Sequence, residues 1–508
     1  MRKTLLPLAL AFASLAEADI RLGAPFADGA VLQRDRDVPV WGTASPREKV
    51  TVSFCDFLAS AQADAKGAWS AKLPAMKASK EGRDLVASGA DGAKAIARDI
   101  LVGEVWLCAG QSNADCPIWG RRPHYRDGQG ALVISMTVKP WVRLAKVVRQ
   151  PSETPLSFTR VKWLKMVPEE MRAGKGHTLP SAMGYYFALE LANALDVPVG
   201  LLDCSWGATR IEPWTPRSGF GSVEGLEKER DWEFLPKEQW VGGSPVNGCR
   251  AYHQQPSAIW NGMVAPLAPM AARGMIWYQG CSNAREPETY ARKMHALYNG
   301  WAKEFANPRM SFYFAQLAPF KTDFHRLQEA QTRFAEEEPN AAMAVTGDVG
   351  NILDIHPNDK RTVAKRLAAH ALKRDYGYDW IEDESPSLES WRVENGAFML
   401  KFRHALEFYV YNRDNSLETG FEVCGADGEW KPAEIMNFEE TQNRFGKIVR
   451  EGTVPGPELV VASKDVPDPV RLRYLHTSPW FASLYNEASL PMGPFHIGGD
   501  DVEDEEAR

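Results

Sequence analysis

Long apolar runs, metal-binding motifs and excess positive charge are all scarce in this sequence of 508 residues. Beyond the N-terminus, no segment has the ~20 apolar residues that a membrane-spanning helix needs. The formal net charge of −7 leaves no basic surface for nucleic acid or an anionic membrane. Neither Cys-x-x-Cys nor His-Glu-x-x-His occurs, so nothing in the sequence supports a metal site, and no cofactor is expected.

Disulfide bonds are not needed to hold a core of this size. The seven cysteines form an odd number, which leaves at least one thiol free or intermolecular. In an exported protein the others are permitted to pair, but a large hydrophobic core makes pairing unnecessary. The cysteines are Cys55, Cys108, Cys116, Cys204, Cys249, Cys281 and Cys424.

The N-terminus has the pattern of an export signal. Arg2 and Lys3 provide a short positive segment, and an apolar stretch runs from Leu5 to Leu15. A small-residue cleavage site follows at 16–18. The pattern predicts a signal peptide over residues 1–18 and a secreted or periplasmic protein.

The predicted secondary structure changes twice along the chain. Short β-rich runs between Gly, Pro and Asp turn signals predict a β-rich domain over 19–98. Buried strands then alternate with amphipathic helices over 99–384, which is typical of an α/β layer with a mainly parallel sheet. A second β-rich domain is predicted over 385–498, followed by an acidic tail at 499–508. The predicted buried strands are 102–107, 198–202, 274–278 and 311–315, and the predicted helices are 181–195, 290–305 and 360–372.

Polar and glycine-rich residues follow several of these strands. In an α/β layer, active groups lie just past the carboxyl ends of strands. The clusters at these positions supply a hydroxyl, backbone N–H donors, amides and an imidazole beside a carboxylate, which are the parts that acyl transfer requires. They are Gly110-Gln111-Ser112-Asn113, Ser205-Trp206-Gly207-Ala208-Thr209, Gln279-Gly280-Cys281-Ser282-Asn283 and Asp354-Ile355-His356-Pro357.

The nucleophile itself is not chosen by this spacing. No Gly-x-Ser-x-Gly sequence occurs, which argues against an ordinary α/β-hydrolase. Ser282 in Gly-Cys-Ser-Asn echoes Ser112 in Gly-Gln-Ser-Asn. Either serine satisfies the pattern.

Matching stretches run nearly from end to end and resemble the sialate O-acetylesterase family of the SGNH (GDSL-like) hydrolases. They are Asp28–Arg34 with Val38–Gly42, Gly103–Leu107, Gly110–Asn113, Trp260–Met263, Ile276–Gly280, Asp354–Pro357, and Asn486–Pro491 with Pro494-Phe495. The resemblance implies a three-layer α/β/α sandwich with a mainly parallel sheet, flanked by N-terminal and C-terminal β-rich domains. It also implies a serine esterase that removes O-acetyl groups from sialic acids through an acyl-enzyme.

The same resemblance implies roles for individual residues. The nucleophile falls on Ser112, the general base on His356 and the orienting carboxylate on Asp354. The oxyanion donors fall on the backbone N–H groups of Ser112 and Gly207 and on the side chain of Asn283. Because Asp354 precedes the histidine by two positions rather than three, Asp348 or a backbone carbonyl stays an alternative orienter. A carboxylate partner is expected to raise the pKa of His356 above about 6.5, so that activity falls in the mildly acidic range.

Two residues depart from the family pattern. Cys281 stands where the family usually has Glu, and Ala208 stands where it usually has a second Gly. The extra methyl group of Ala208 is expected to be harmless. The loss of a charge at Cys281 leaves two alternatives beside sialic acid hydrolysis: an acetylesterase for another glycan such as xylan, or a catalytically impaired carbohydrate-binding relative.

Overall fold

The computed structural model describes residues 20–120, 126–173, 179–239, 252–411, 419–442, 448–476 and 481–498. The predicted signal peptide and the acidic tail from 499 onward lie outside these residues. Within them, no helix is both long and apolar enough to cross a membrane.

The N-terminal part is built mainly from antiparallel strands. It holds β1 (Arg21–Leu22), β2 (Val31–Gln33), β3 (Val38–Thr43), β4 (Lys49–Phe54), β5 (Phe57–Gln62), β6 (Ala68–Leu73), β7 (Ser79–Ser88) and β8 (Lys94–Gly110). β2 pairs parallel to β8. β8 pairs with β7 near its start and with the central sheet near its end. The predicted boundary at 98/99 therefore falls inside one continuous strand that both regions share.

The central part alternates helices and strands. It holds α1 (Ser112–Asp115), α2 (Gly130–Met136), β9 (Lys139–Val147), β10 (Val161–Met166), α3 (Pro168–Ala173), α4 (Ala182–Leu195), β11 (Val199–Asp203), α5 (Arg217–Phe220), α6 (Glu227–Arg230), β12 (Gly274–Tyr278), α7 (Pro287–Glu304), β13 (Ser311–Ala315), α8 (His325–Glu337), β14 (Ala341–Ala344) and α9 (Lys360–Tyr376). Short 3-10 or π turns occupy Glu212–Trp214, Lys237–Gln239, Tyr252–Gln254, Trp260–Val264, Ala265–Leu267 and Cys281–Asn283. The sheet order is β10-β9-β11-β8-β12-β13-β14, and it is parallel except for the edge strand β10.

Helices cover both faces of this sheet, as alternation along β13 demonstrates. Phe312 and Phe314 pack against Phe334 of α8, with ring centroids 5.5 and 5.6 Å apart. Tyr313, between them, packs against His370 of α9 at 5.6 Å. Because neighbouring residues of a strand point to opposite faces, α8 and α9 lie on opposite sides. Burial from both sides explains why every residue of β11, β12 and β13 is apolar or small and buried, apart from Asp203 at the end of β11.

Capping residues set the helix ends close to the predicted ones. The side chain of Ser181 accepts a hydrogen bond from Gly184 N and begins α4. The side chain of Asp359 likewise accepts from Thr362 N at 2.9 Å and begins α9. Gly377, with φ +74°, ends α9 four residues later than the apolar pattern indicated. The predicted strands at 274–278 and 311–315 are confirmed residue for residue.

The C-terminal part consists of three small antiparallel sheets around a second apolar core. It holds β15 (Ser387–Glu394), β16 (Ala397–Arg403), β17 (Glu407–Tyr411), β18 (Phe421–Cys424), β19 (Trp430–Pro432), β20 (Glu434–Ile435), β21 (Glu439–Gln442), β22 (Ile448–Pro455), β23 (Glu458–Ala462), β24 (Arg471–Tyr474), β25 (Leu484–Tyr485) and β26 (Phe495–Ile497). Ala482 N donates to Gly347 O at 3.0 Å, so this region touches the loop that follows β14. The expected α/β class with additional β-rich regions is confirmed.

The cysteines of the described residues are all unpaired. Cys108, Cys116, Cys204 and Cys424 are buried, and only Cys55 is exposed. Cys249 lies outside the described residues. Apolar packing, rather than disulfide bonding among these six, holds the described core.

Candidate active site

The strand order brings three of the predicted clusters to one place. β8 lies between β11 and β12, and all three run parallel. Strands β9, β10 and β11 lie on one side of β8, and strands β12, β13 and β14 lie on the other side. The loops after β8, β11 and β12, which carry Ser112, Gly207 and Asn283, therefore leave the same edge at the point where the strand order switches, where α/β sheets bind their ligands.

The turn after β8 depends on close contact with β12. Gly110 has φ +128°, and a Cβ atom there would lie 2.3 Å from the carbonyl oxygen of Tyr278, so no larger residue fits. The side chain of Gln111 then joins the two loops, since its Oε1 accepts from Gly280 N at 3.0 Å and from Ser282 N at 3.3 Å. Its Nε2 donates to Ser282 Oγ at 3.4 Å. Ser282 is thus engaged by Gln111 beside the turn that carries Ser112.

Ser112 is the first residue of the short helix α1 and is half-buried. Gly207 lies directly against it, because a Cβ atom on Gly207 would lie 3.7 Å from both Cα and Cβ of Ser112. Trp206 N donates to Gly110 O at 2.9 Å and holds the two loops in register. The backbone of Gly207 and the hydroxyl-bearing residue therefore share one small region of the surface.

The loop after β14 brings Asp354 and His356 to this region, although β14 is separated from β8 by β12 and β13. Asp354 Oδ1 lies 3.1 Å from His356 Nδ1 and accepts from His356 N at 2.9 Å. Asn113, next to Ser112, donates from Nδ2 to Ile355 O at 3.0 Å. A single side chain thus ties the helix of Ser112 to the residue that precedes His356. This hydrogen bond helps to position the loop.

The buried side chain of Lys360 also contacts this loop. Its Nζ donates to Asn113 Oδ1 at 2.8 Å and to Pro357 O. The side chain is fully buried, and burial lowers the pKa of Lys360 below its ordinary value. No carboxylate within salt-bridge distance is recorded for Lys360 among the described residues. The ammonium of Lys360 therefore binds neutral oxygens of the Asn113 side chain and the Pro357 carbonyl.

The pKa of His356 moves in the direction opposite to the sequence expectation. Burial lowers it below the ordinary value of 6.5, and the positive charge of Lys360 acts in the same sense. The carboxylate of Asp354 acts against both but does not outweigh burial. The expected rise was wrong because the sequence shows the neighbouring carboxylate and does not show the loss of water around the ring.

Asp348, the alternative orienter, is engaged elsewhere. Its two carboxylate oxygens each accept from Arg366, at 2.7 Å. A bidentate pair of this kind leaves the carboxylate facing the guanidinium of α9. Asp354 is the carboxylate within hydrogen-bonding distance of His356.

Asn283 lies behind the site with its amide engaged. Its Nδ2 donates to both carboxylate oxygens of Glu212 at 3.2 Å, and its Oδ1 accepts from Ile211 N and Gln279 Nε2. Burial alone would raise the pKa of Glu212, but the charges of Lys293 and Arg210 hold that pKa at about 2. The amide of Asn283 therefore contacts a buried anion and braces the loop of Gly280, and its role as an oxyanion donor stays a prediction.

A second buried charge network, which the sequence reading missed, supports Ser112 from the other side. Asp115, in the same helix turn, accepts from Lys146 Nζ at 2.9 Å and from Arg149. Lys146 also donates to Asp203, the last residue of β11, at 2.8 Å. The one available signal was the placement of Asp115 three residues after Ser112, which puts the two on one side of a helical turn.

Comparison with known proteins identifies the family of this chain. Residues 102–373 match the family model for carbohydrate esterases described as sialic acid-specific acetylesterase, which covers just over half of the chain. The chain belongs to this family. It is an esterase.

Relatives match over most of the length. The chain is 27% identical over 466 residues to the sialate O-acetylesterase of Rattus norvegicus, covering 80% of this chain and 83% of the rat protein. It is 27% identical over 374 residues to the sialate O-acetylesterase of Homo sapiens, covering 68% and 67%. Among solved structures, it is similar to a carbohydrate acetylesterase from Xanthomonas citri with a TM-score of 0.78 and 29% identity, covering 94% of this chain and 99% of that one.

Cys281 is half-buried in this member of the esterase family, and its thiol faces the protein interior. Burial raises the pKa of Cys281 to about 12, although the nearby charge of Lys360 acts to lower it. A thiol with that pKa carries almost no thiolate at neutral pH. The substitution of the family's usual Glu therefore removes a charge without introducing a reactive nucleophile.

The backbone of Ala208 adopts a strained conformation that the sequence did not reveal. Its φ is +61°, in the left-handed region where residues with a Cβ atom are strained. The family's usual glycine would take this conformation freely. The left-handed conformation predicts that Ala208 costs about 1 kcal/mol of stability, which the sequence alone did not indicate.

Proposed function

We propose that this esterase removes O-acetyl groups from sialic acids by a serine acyl-enzyme mechanism, with Ser112 as nucleophile, His356 as general base and Asp354 as the orienting carboxylate. Membership of the family supports the reaction class. The observation that carries the residue assignment is the pair His356 Nδ1 to Asp354 Oδ1 at 3.1 Å, on a loop bonded through Asn113 to the helix of Ser112.

In this proposal, His356 Nε2 takes the proton of Ser112 Oγ as the hydroxyl attacks the acetyl carbonyl carbon. Asp354 accepts a hydrogen bond from Nδ1–H and keeps the ring in the tautomer whose Nε2 is free to act as base. The imidazolium then returns the proton to the departing sugar hydroxyl. In the second half-reaction, His356 activates a water molecule that hydrolyses the acetyl-serine ester and regenerates Ser112.

The negative oxygen of the tetrahedral intermediate needs donors already aimed at it, each worth roughly 3 kcal/mol of barrier. We assign this role to the backbone N–H groups of Ser112 and Gly207. The close packing of Gly207 on Ser112 supports that pair. For Asn283, the bonds from its amide to Glu212 support a positioning role that keeps the loop of Gly280 in place.

A second substrate class has its own support. The similar protein from Xanthomonas citri is described as a carbohydrate acetylesterase, without reference to sialic acid. An acetylated glycan such as xylan is therefore the alternative substrate. The acyl chemistry is identical in the two cases, and only the sugar that leaves differs.

We also propose the wider setting of this activity. Helices on both faces of a mainly parallel sheet support an SGNH-like three-layer α/β/α sandwich over about 99–384, flanked by β-rich domains at 19–98 and 385–498. The N-terminal pattern of residues 1–18 supports export to the periplasm or the medium.

The deciding experiment measures acetate release from O-acetylated sialic acid and from acetylated xylan, with p-nitrophenyl acetate as a general ester. The proposal predicts the highest kcat/KM on the sialic acid ester, and Ser112→Ala provides the blank for each substrate. Higher kcat/KM on xylan would shift the assignment to the alternative. Absence of turnover on all three esters would contradict the esterase mechanism and leave a carbohydrate-binding relative.

A further inference from the structure

Two of the chain's ten histidines lie against one glutamate, outside the candidate active site. Glu329 lies on α8 of the central part, whereas His476 follows β24 and His496 lies in β26 of the C-terminal part. Glu329 Oε1 lies 2.7 Å from His476 Nε2 and 2.6 Å from His496 Nδ1. Both imidazoles therefore point at the same oxygen.

The three side chains have the geometry of metal ligands. One nitrogen or oxygen atom from each lies within 4.8 Å of the others, which is the spacing of atoms that share one ion. A zinc ion binds histidine nitrogen at about 2.0–2.1 Å and carboxylate oxygen at about 2.0–2.2 Å. Ligands arranged tetrahedrally at these lengths lie roughly 3.3 Å apart. Shifts of up to about 1 Å in each side chain would therefore admit the ion.

The surroundings also suit a bound cation. The side chain of His476 is only 6% exposed, and Glu329 Oε1 lies within hydrogen-bonding distance of both imidazoles. The cluster therefore brings two histidine nitrogens and one carboxylate together, a ligand set that zinc commonly takes.

A second histidine–carboxylate pair, His325 and Asp323, lies beside these ligands. The ring of His325 packs on the ring of His476 with centroids 4.4 Å apart. His325 Nδ1 is bonded to the carboxylate of Asp323. This adds a second negative charge near the cluster and balances the charge of a divalent ion.

We propose that Glu329, His476 and His496 form a binding site for one divalent transition-metal ion, Zn²⁺ foremost, which fastens the C-terminal β-rich part to helix α8. His496 lies in β26 and His476 lies two residues past β24, and these two strands are hydrogen-bonded neighbours. The third ligand, Glu329, comes from the other side of the interface. The ion would stabilise the contact between the two parts because it binds only when they are together.

The test uses the full chain without a histidine tag, stripped with EDTA and titrated with Zn²⁺ by calorimetry, with metal content measured after dialysis. We expect one ion per chain and a rise in Tm on addition of Zn²⁺. His496→Gln and Glu329→Gln should each lower the affinity at least about tenfold, the loss that even an outer hydrogen-bonding partner produces.

The matched control is His295→Gln. His295 lies on α7, and its Nε2 is 2.8 Å from the carboxylate of Glu337 on α8, the helix that also carries Glu329. This variant removes a histidine–glutamate pair outside the cluster and should bind Zn²⁺ as the wild type does. Circular dichroism establishes that each variant is folded. A dissociation constant weaker than about 100 μM for the wild type, or equal affinity in the wild type and the folded His496→Gln variant, would overturn the proposal.

Discussion

The buried ammonium of Lys360 donates to Asn113 Oδ1 at 2.8 Å and joins the helix of Ser112 to the loop of His356. Its other acceptor is the carbonyl of Pro357, one residue past the histidine. Two segments 247 positions apart therefore share one cation. In the proposed mechanism, the alignment of Ser112 with His356 depends on this contact, since the two residues follow different strands.

Lys360→Met should lower kcat about 100-fold with a smaller change in KM, because misplacing a catalytic group by about 1 Å costs this much. The variant also removes a positive charge that lowers the pKa of His356. The acidic limb of the pH profile should therefore move to higher pH. Lys365→Met, an exposed change on the same helix, is the control for charge. An unchanged acidic limb in Lys360→Met would contradict this positioning role.

Ser112→Ala should lower kcat about a millionfold, because the loss of a triad nucleophile removes the covalent pathway. Ser282→Ala should stay within about threefold of the wild type, since its hydroxyl only accepts a contact from Gln111. Labelling with a fluorophosphonate followed by peptide mass spectrometry locates the reactive serine. Modification of Ser282 with retained activity in Ser112→Ala would reverse the two assignments.

The pH profile of kcat/KM should have its acidic midpoint below 6.5. His356 acts as a base only when neutral, and burial lowers its pKa, so the neutral form persists to lower pH than in a free imidazole. Measurement from pH 4.5 to 8 in buffers of constant ionic strength checks the midpoint. A midpoint above 7 would mean that Asp354 outweighs burial.

Asp354→Asn should lower kcat by a factor of about 10² to 10⁴, because the ring loses the partner that selects its tautomer. Removing the carboxylate also removes the influence that raises the pKa of His356, so the acidic midpoint should fall further. Asp348→Asn provides the comparison. It breaks the pair with Arg366 and should lower Tm while leaving the kcat of the folded enzyme nearly unchanged. The reverse pattern would make Asp348 the orienter.

Cys281→Ser should retain activity within about tenfold, and Cys281→Glu should remain active on the order of the wild type. With the pKa raised to about 12 by burial, roughly one thiol in ten thousand is ionised at pH 8. Iodoacetamide should therefore modify the exposed Cys55 in preference to Cys281 and leave activity intact. Inactivation that maps to Cys281, in a chain whose Ser112→Ala variant is active, would overturn the serine mechanism.

Ala208→Gly should stabilise the protein by about 0.5–1 kcal/mol, since it relieves a left-handed residue at some cost in unfolded-state entropy. Ala194→Gly, inside helix α4, should instead destabilise by about 1 kcal/mol. Urea denaturation of both variants against the wild type measures the difference. A loss of stability in Ala208→Gly would show that the positive φ carries no strain.

Several features followed from local sequence. Strands β12 and β13 are continuous apolar runs bounded by polar residues, and burial on both faces leaves no other residue type stable there. The Gly110–Asn113 turn was readable because glycine and polar residues directly follow a buried apolar run. Helix α9 was readable from its apolar stripe. These are short-range effects.

Other features exist only once distant segments meet. The lowered pKa of His356 reflects burial, which depends on what packs over the loop, and the engagement of Asn283 depends on Glu212, 71 residues away. The proposed metal ligands Glu329 and His476 are 147 positions apart and form no motif. By itself the sequence determined the strands, the catalytic clusters and the family, because these rest on local patterns. Tertiary structure alone decided the electrostatics and the second cluster, because desolvation and convergence are properties of neighbours in space.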